Sequence, residues 1–508
     1  MNPNKKKAFI SVGIILIILI SYLITPIYIV FDVLNVPLDY DVDNSDWIEP
    51  DLAEMASMQD EFEYYLNEYH LPMNYTLSIL WNEDYSEILT YIVTGDACIW
   101  TGMMLAAQAF RYGAARNSGN VSEMDKALSM VRKVLSGVTL LLAVPNGGIG
   151  PEYGGILARS VLSPDENRSL YHQYLFGSSK DIFNGSGIYK QWQWVGYPSI
   201  DQHSGIVFGL TRVALSVAPF DETISETTKL LTQQLVEHYL KTNWMITDAG
   251  GRTTGQDIDI STEEGSFAVL SFLKMAQLAN PKSDRYQSLY NHYAYERGYI
   301  FYLKPPIPLK YLNYYNYYSL NLYMLLFYHL AEAEEDKFLK NVYQRFFLNN
   351  FYKVFKSSRN AWYNCAYLGI MGNKDADIAR DIADQLMRFG LEDEPGHTRI
   401  PDRGGGRTPI PADQYGTEPL IRWRAFIENN TFGRFFYGWV DGILPNLDEI
   451  LNAPKTTDQY QQEDFIWQRT PWTPGYHWNH EEYRQDSGLS YLLPYYMGIY
   501  YSVWEDLE

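Results

Sequence analysis

From about residue 51 onward, apolar positions recur every three or four residues, the period of helices that bury one face. Runs alternating with period two are scarce. The pattern separates two kinds of helix. One kind is amphipathic and charged, over residues 121–142, 222–241, 283–298, 336–351 and 375–389; Ser122-Glu123 and Asp221-Glu222 give the first two good cap-and-dipole starts. The other kind is poor in charge and rich in Gly, Ala and aromatics, over 96–112, 201–217, 261–279, 313–331, 361–371 and 486–503. A helix apolar nearly all round has to be buried nearly all round. Alternation of the two kinds predicts two concentric helical rings: an all-α (α/α)6 toroid, with the second kind inside. Either 51–70 or 421–440 supplies the sixth outer helix. The hairpins share no strict repeat.

A different pattern precedes this one. Residues 9–31 run without a charge, directly after Lys5, Lys6 and Lys7. At about 1.5 Å per residue that helix spans the roughly 30 Å hydrocarbon core. A cleaved signal peptide is the competing reading, but its apolar core is usually only about 7–15 residues long. Here no Ala-x-Ala site follows. The expectation is a single-pass anchor over residues 1–31, N-terminus cytoplasmic, then an acidic stalk (32–50) and an extracytoplasmic toroid domain (51–508).

Composition narrows the partners. A net charge of −21 argues against nucleic acid or anionic lipid, which need a basic surface. Apolar content of 46% with 20% charged residues describes a folded chain. Cys98 and Cys365 lie far apart in apolar surroundings and read as buried free thiols. The N-x-Ser/Thr sequons at Asn74, Asn120, Asn167, Asn184 and Asn429 are little more than chance supplies. The 43 Tyr and 13 Trp suit a cleft that stacks on sugar rings, or equally a large aromatic core.

In a toroid the inner helices point the same way, so their N-termini gather on one rim. The predicted starts carry unusual residues for buried elements: Gly95-Asp96, Asp201 to Gly205, Ser261 to Gly265 with Glu263 and Glu264, Asn316-Tyr317, Trp362 to Asn364 and Asp486 to Gly488. Each alone also reads as a plain N-cap. Glycine-rich loops at 145–151, 248–252 and 402–407 lead toward this rim, and none matches a phosphate-binding loop. Trp192 and Trp194 precede Asp201, while Trp467, Arg469 and Trp472 precede the last inner helix. His477, His480 and Glu481 have ligand spacing in an unsuitable loop, and Asp257, Asp259 and Glu263 match no known calcium loop. Neither metal nor cofactor is expected.

The segments Gly95 to Gly102 with Phe110 to Tyr112, Asp201 to Leu210, and Ser487 to Gly498 resemble inner helices of the six-hairpin glycosidase superfamily of α/α-toroid carbohydrate enzymes. That resemblance implies rim carboxylates at Asp96, Asp201 and Glu263 or Glu264. An inverting glycosidase needs an acid and a base roughly 6.5–9.5 Å apart. Asp201 is the first choice, accompanied by Gln202 and His203. Trp100, Arg111, Arg159, Gln202 and Tyr317 join the tryptophans and Arg469 as ligand-binding candidates. Arg111 equally reads as a structural neutraliser of a nearby acid. The leading expectation is therefore a glycoside hydrolase acting on a glycan. A lyase or epimerase using His203 and a Tyr is one alternative, and a non-catalytic glycan-binding scaffold is the other.

Overall fold

The computed structural model describes residues 12–13, 44–45, 47–92, 95–171, 182–259, 263–303, 317–356, 358–390, 456–457 and 483–506. Within them the chain is mostly helical. Helices α1 (Leu52–Tyr69), α2 (Ala97–Ser118), α3 (Val121–Asn146), α4 (Ile200–Ser216), α5 (Glu222–Lys241) and α6 (Glu263–Ala279) form the first half. Helices α7 (Asp284–Asn291), α8 (Tyr317–Glu332), α9 (Lys337–Phe347), α10 (Ala361–Met371), α11 (Ala376–Met387) and α12 (Leu489–Tyr500) form the second.

Side-chain caps start five of the six odd-numbered helices. The side chains of Asp51, Asn120, Asp221, Asp336 and Asp375 accept backbone N–H groups of the first turns of α1, α3, α5, α9 and α11. Such caps each contribute about 1 kcal/mol. The even-numbered helices follow from the near absence of charge: α2 is buried continuously from Ala97 to Ala115. Their mutual contacts run α2 on α4, α4 on α6, α6 on α8, α8 on α10, α10 on α12 and α12 back on α2, and α4 also packs directly on α8. The odd-numbered helices lie against them, α3 on α2, α5 and α7 on α6, α9 on α8, α11 on α10 and α1 on α12. Of the two segments weighed for the remaining helix, 51–70 forms α1, packed on α12; the rival 421–440 falls outside the described residues.

Connections differ at the two ends. Even helices pass to the following odd ones by tight turns, such as Gly119-Asn120 between α2 and α3. The connections leading into even helices are long and carry short strands that the hydrophobic pattern did not predict. Strands β1 (Ser78–Trp81) and β2 (Ile88–Ile92) precede α2. Strands β3 (Ser160–Leu162), β4 (Ile182–Asn184) and β5 (Gln193–Val195) precede α4. The hairpin of β6 (Met245–Thr247) and β7 (Thr253–Asp257) precedes α6, and β8 (Arg484–Gln485) precedes α12. They form antiparallel sheets in the orders β2-β1-β8, β3-β5-β4 and β6-β7. At two to five residues each, they are too short for alternation to register in a sequence.

Among the described residues one helix, α3, is long and apolar enough to cross a membrane. Its apolar stripe, including Val131, Val134, Val138 and Leu142, is buried within the fold. Of the uncharged run 9–31, only residues 12–13 are described, in helical conformation. Cys98 and Cys365 are both buried and unpaired.

Candidate functional site

Glycines set the geometry of the site. A Cβ at Gly102 would collide with the backbone of Gly205, one at Gly205 with Ile99, and one at Gly209 with Gly102. Helices α2 and α4 therefore touch backbone to backbone, and their first turns are held side by side. Asp96 stands at the start of α2 and Asp201 in the first turn of α4.

Unlike the other helix-opening Asp and Asn residues, Asp96 makes no side-chain capping bond to its own helix. Its Oδ1 accepts instead from Gln202 Nε2 at 3.1 Å. Gln202 is fully buried and bridges the two helix starts. Its Oε1 accepts from Ser199 N–H at 2.7 Å and from the Ser199 hydroxyl at 2.6 Å, while Nε2 also donates to the Gly95 carbonyl at 3.0 Å. Every hydrogen-bonding site of this amide is filled, which fixes its orientation. Arg159, just before β3, closes the same corner. Its Nη1 donates to the Gly95 carbonyl at 3.0 Å and its Nε to the Tyr197 carbonyl at 2.8 Å.

The carboxyl of Asp201 is pushed above its usual range by burial and then by the neighbouring Asp96 charge. Arg159 and the Ser199 hydroxyl oppose the rise without cancelling it. Two acids in one partly dry corner thus favour keeping a proton on one of them. The third predicted carboxylate is linked through Tyr323 of α8: burial raises this phenol, and the charges of Glu264 and Asp201 add to the rise. The structure brings together Asp96, Asp201, Gln202, Arg159 and, at longer range, Glu264. For Glu263 and Tyr317 only backbone positions are described, each opening its helix.

Other predicted site residues lie elsewhere. His203 is fully buried. Its Nδ1 is bonded to the Ser199 carbonyl at 2.7 Å and its Nε2 to the Tyr239 hydroxyl, and burial holds it neutral, down at about 4. With both nitrogens engaged it is a packing histidine, not a proton carrier facing a ligand. Arg111 lies 15 residues beyond Asp96 on α2, about 22 Å along the axis. It pairs with Glu63 at 2.8 Å and Glu123 at 2.5 Å, so its role is structural. Trp194 is buried, its Nε1 donating to the Asn184 carbonyl at 3.1 Å, and its ring packs on Phe183 instead of offering an open face. Trp100 is buried one turn into α2, and Trp192 is half-buried against Tyr189. Trp467, Arg469, Trp472, His477, His480 and Glu481 lie outside the described residues. Among the described residues no group of three or more His, Cys, Asp or Glu is arranged to hold a metal ion. Asp259 instead accepts from the Tyr299 hydroxyl at 2.5 Å.

Two residues were not anticipated. Tyr197 is half exposed beside Arg159, with φ of +60°, a left-handed conformation that costs a non-glycine residue about 1–3 kcal/mol. Its hydroxyl donates to the Thr254 carbonyl at 3.3 Å, fastening the α3–α4 connection to β7. Asp248, at the tip of the β6–β7 hairpin, is 2% exposed with Oδ1 lacking a hydrogen-bond partner. Nothing in the local sequence marks Tyr197, whereas Asp248 opens the glycine-rich loop 248–252, which flags the loop but not this carboxylate. Compared with protein-family models, curated proteins and solved structures, the chain finds no match.

Proposed function

We propose that the chain is a membrane-anchored, extracytoplasmic glycoside hydrolase on an (α/α)6 toroid, with Asp201 as proton donor and Asp96 as partner carboxylate. The observation that carries this reading is the raised carboxyl of Asp201 beside an Asp96 that caps nothing and is held by a neighbouring helix. Glycoside hydrolysis asks for that division: one acid protonated to serve the leaving oxygen, the other ionised to activate water or attack the sugar. The circuit of contacts through the even helices supports the toroid, and the long connections at their N-terminal ends support a ligand cleft there. The three lysines followed by an uncharged run support the anchor. A lyase or epimerase would need His203 as an open base, and both its nitrogens are occupied.

The test uses the full chain in detergent with a panel of oligosaccharides, following release of reducing ends. Asp201→Asn is expected to lower turnover by about 10²–10⁴-fold, the usual worth of a general acid. Equal turnover by the variant overturns the assignment, and binding without turnover by the wild type makes the protein a glycan-binding one. Stability provides a check that needs no substrate. A carboxyl whose folded pKa is raised contributes stability that is complete below the unfolded value, near 3.9, and is lost as pH rises through the folded value. Asp201→Asn is therefore expected to exceed the wild type in stability at pH 7, the gap closing toward pH 4. For topology, protease added outside intact cells is expected to digest the domain.

A further inference from the structure

Resting on the reading of the rim as a glycan site, we infer that Tyr323 of α8 binds the sugar, its hydroxyl donating to a sugar hydroxyl that sits between Asp201 and Glu264. The packing of three even-numbered helices fixes where this phenol stands. Helix α8 packs on both α4 and α6. Its contacts with α4 climb together along the two helices, Phe208 against Tyr328 at 5.7 Å and then Arg212 to Glu332 at 2.7 Å. Those with α6 do the same, Phe267 against Tyr323 at 5.9 Å and then the Ser271 hydroxyl to the Leu326 carbonyl at 2.6 Å. The three helices are therefore parallel, with their N-terminal ends on one side.

Asp201 lies two turns before Phe208 on one face of α4, about 10 Å toward that side. Tyr323 lies five residues before Tyr328, about 8 Å in the same direction, and so stands nearly level with Asp201. Glu264 precedes Phe267 by three residues, on the face of α6 that meets the Tyr323 ring. Consistent with this placement, burial raises the phenol and the charges of Glu264 and Asp201 add to the rise. Other tyrosines of the fold have bonded hydroxyls: Tyr328 with Tyr501, Tyr239 with His203 and Tyr496 with Glu63. Tyr323 differs. Among the described residues its hydroxyl makes no hydrogen bond, and although the ring is half-buried its oxygen is not sealed from solvent. A protonated phenol is a donor in search of an acceptor oxygen. A carboxylate has lone pairs enough to accept from a sugar hydroxyl in addition to a protein donor. A sugar hydroxyl placed here accepts from Tyr323 and donates to Glu264, which holds the ring beside Asp201.

The experiment uses the full chain in detergent with cellohexaose, maltohexaose and N-acetylglucosamine hexamer, comparing wild type with Tyr323→Phe. The variant keeps the ring and loses the hydroxyl. It is expected to lower kcat/KM about tenfold, the worth of one hydrogen bond, through KM and with kcat nearly unchanged. Its urea midpoint is expected to equal that of the wild type, because the hydroxyl bonds nothing in the protein. Unchanged kcat/KM on an oligosaccharide that the wild type turns over overturns this inference and leaves the carbohydrate reading intact. A fall in the urea midpoint as large as the loss of affinity also overturns it, since the hydroxyl is then structural. Failure of the wild type to bind or turn over any of the three, or any member of the wider panel, removes the carbohydrate reading and this inference with it.

Discussion

Replacing Gln202 by glutamate alters the chemistry of one enclosed group while keeping its shape. The wild-type amide accepts two bonds from Ser199 and donates two, to the Gly95 carbonyl and the Asp96 carboxylate. The variant keeps the accepted pair and turns both donated bonds into contacts between oxygens, one against a carboxylate. Each buried acceptor left without a donor costs about 1–3 kcal/mol, so the ionised variant loses about 2–6 kcal/mol. A proton on the new carboxyl restores one donor and relieves much of that loss. The folded variant therefore retains a proton that the unfolded chain, with a carboxyl near 4.3, releases. Because the native state binds more protons, stability falls with rising pH, by at most about 1.4 kcal/mol per unit. The expected result is a modest deficit near pH 4.5 that widens to about 2–4 kcal/mol at pH 7, relative to wild type. Urea midpoints of the full chain in detergent, read by fluorescence of its 13 tryptophans, measure it. Gln202→Leu, which cannot titrate, should show a deficit independent of pH. Parallel stability curves for Gln202→Glu and wild type would refute the clamp.

Three other substitutions separate scaffold from site. Arg111→Met leaves Glu63 buried without its cation and should cost about 3–5 kcal/mol in urea unfolding, with oligosaccharide affinity unchanged. Gly205→Val drives a branched side chain into the Ile99 backbone; a loss of about 1–3 kcal/mol or more is expected, with weaker ligand binding because the starts of α2 and α4 separate. Tyr197→Gly should leave stability within about 1 kcal/mol, since relief of the left-handed φ offsets lost contact, while oligosaccharide affinity falls by calorimetry.

The helical framework was legible because charge and period act along whole segments. A run such as Ala97 to Ala115, with Arg111 its one charged residue, permits only a buried helix, and the amphipathic runs permit only a half-buried one. The pairing of Asp96 with Asp201 was half legible. Their positions at helix starts followed from the pattern, whereas their closeness depends on Gly102, Gly205 and Gly209, whose packing role shows only in three dimensions. Arg111 was left with two readings and His203 misled for the same reason. A polar residue in an apolar segment reads alike whether it meets a ligand or a partner from a distant element, and Glu63 and Tyr239 are such partners. Tyr197 was invisible, because nothing in its own identity encodes a positive φ.

One asymmetry links the scaffold to the electrostatics of its rim. Carboxylates stand at the N-terminal starts of even helices: Asp96 before α2, Asp201 in α4, Glu264 in α6 and Asp486 before α12. The buried cations sit further along the same helices, Arg111 on α2, Arg212 on α4 and Lys274 on α6. Helix dipoles favour this sorting, with acids at the positive end and bases toward the negative end. Each base is also claimed locally, Arg212 by Glu332 at 2.7 Å and Lys274 by Glu334 at 3.0 Å. Across the roughly 22 Å from Arg111 to Asp96, attraction at an effective dielectric of about 20 amounts to only about 0.8 kcal/mol before screening. The cations of the even helices therefore stabilise the far end of the fold and barely touch the rim. Asp96 and Asp201 act chiefly on each other and on the dry surroundings, and burial, with the Asp96 charge second, keeps the Asp201 carboxyl raised against the opposing Arg159. Arg159 is the cation that opposes the rise, so Arg159→Met should push the Asp201 carboxyl higher and widen the stability gain of Asp201→Asn at pH 7. An unchanged gain in that background would show that burial and Asp96 alone set the acid.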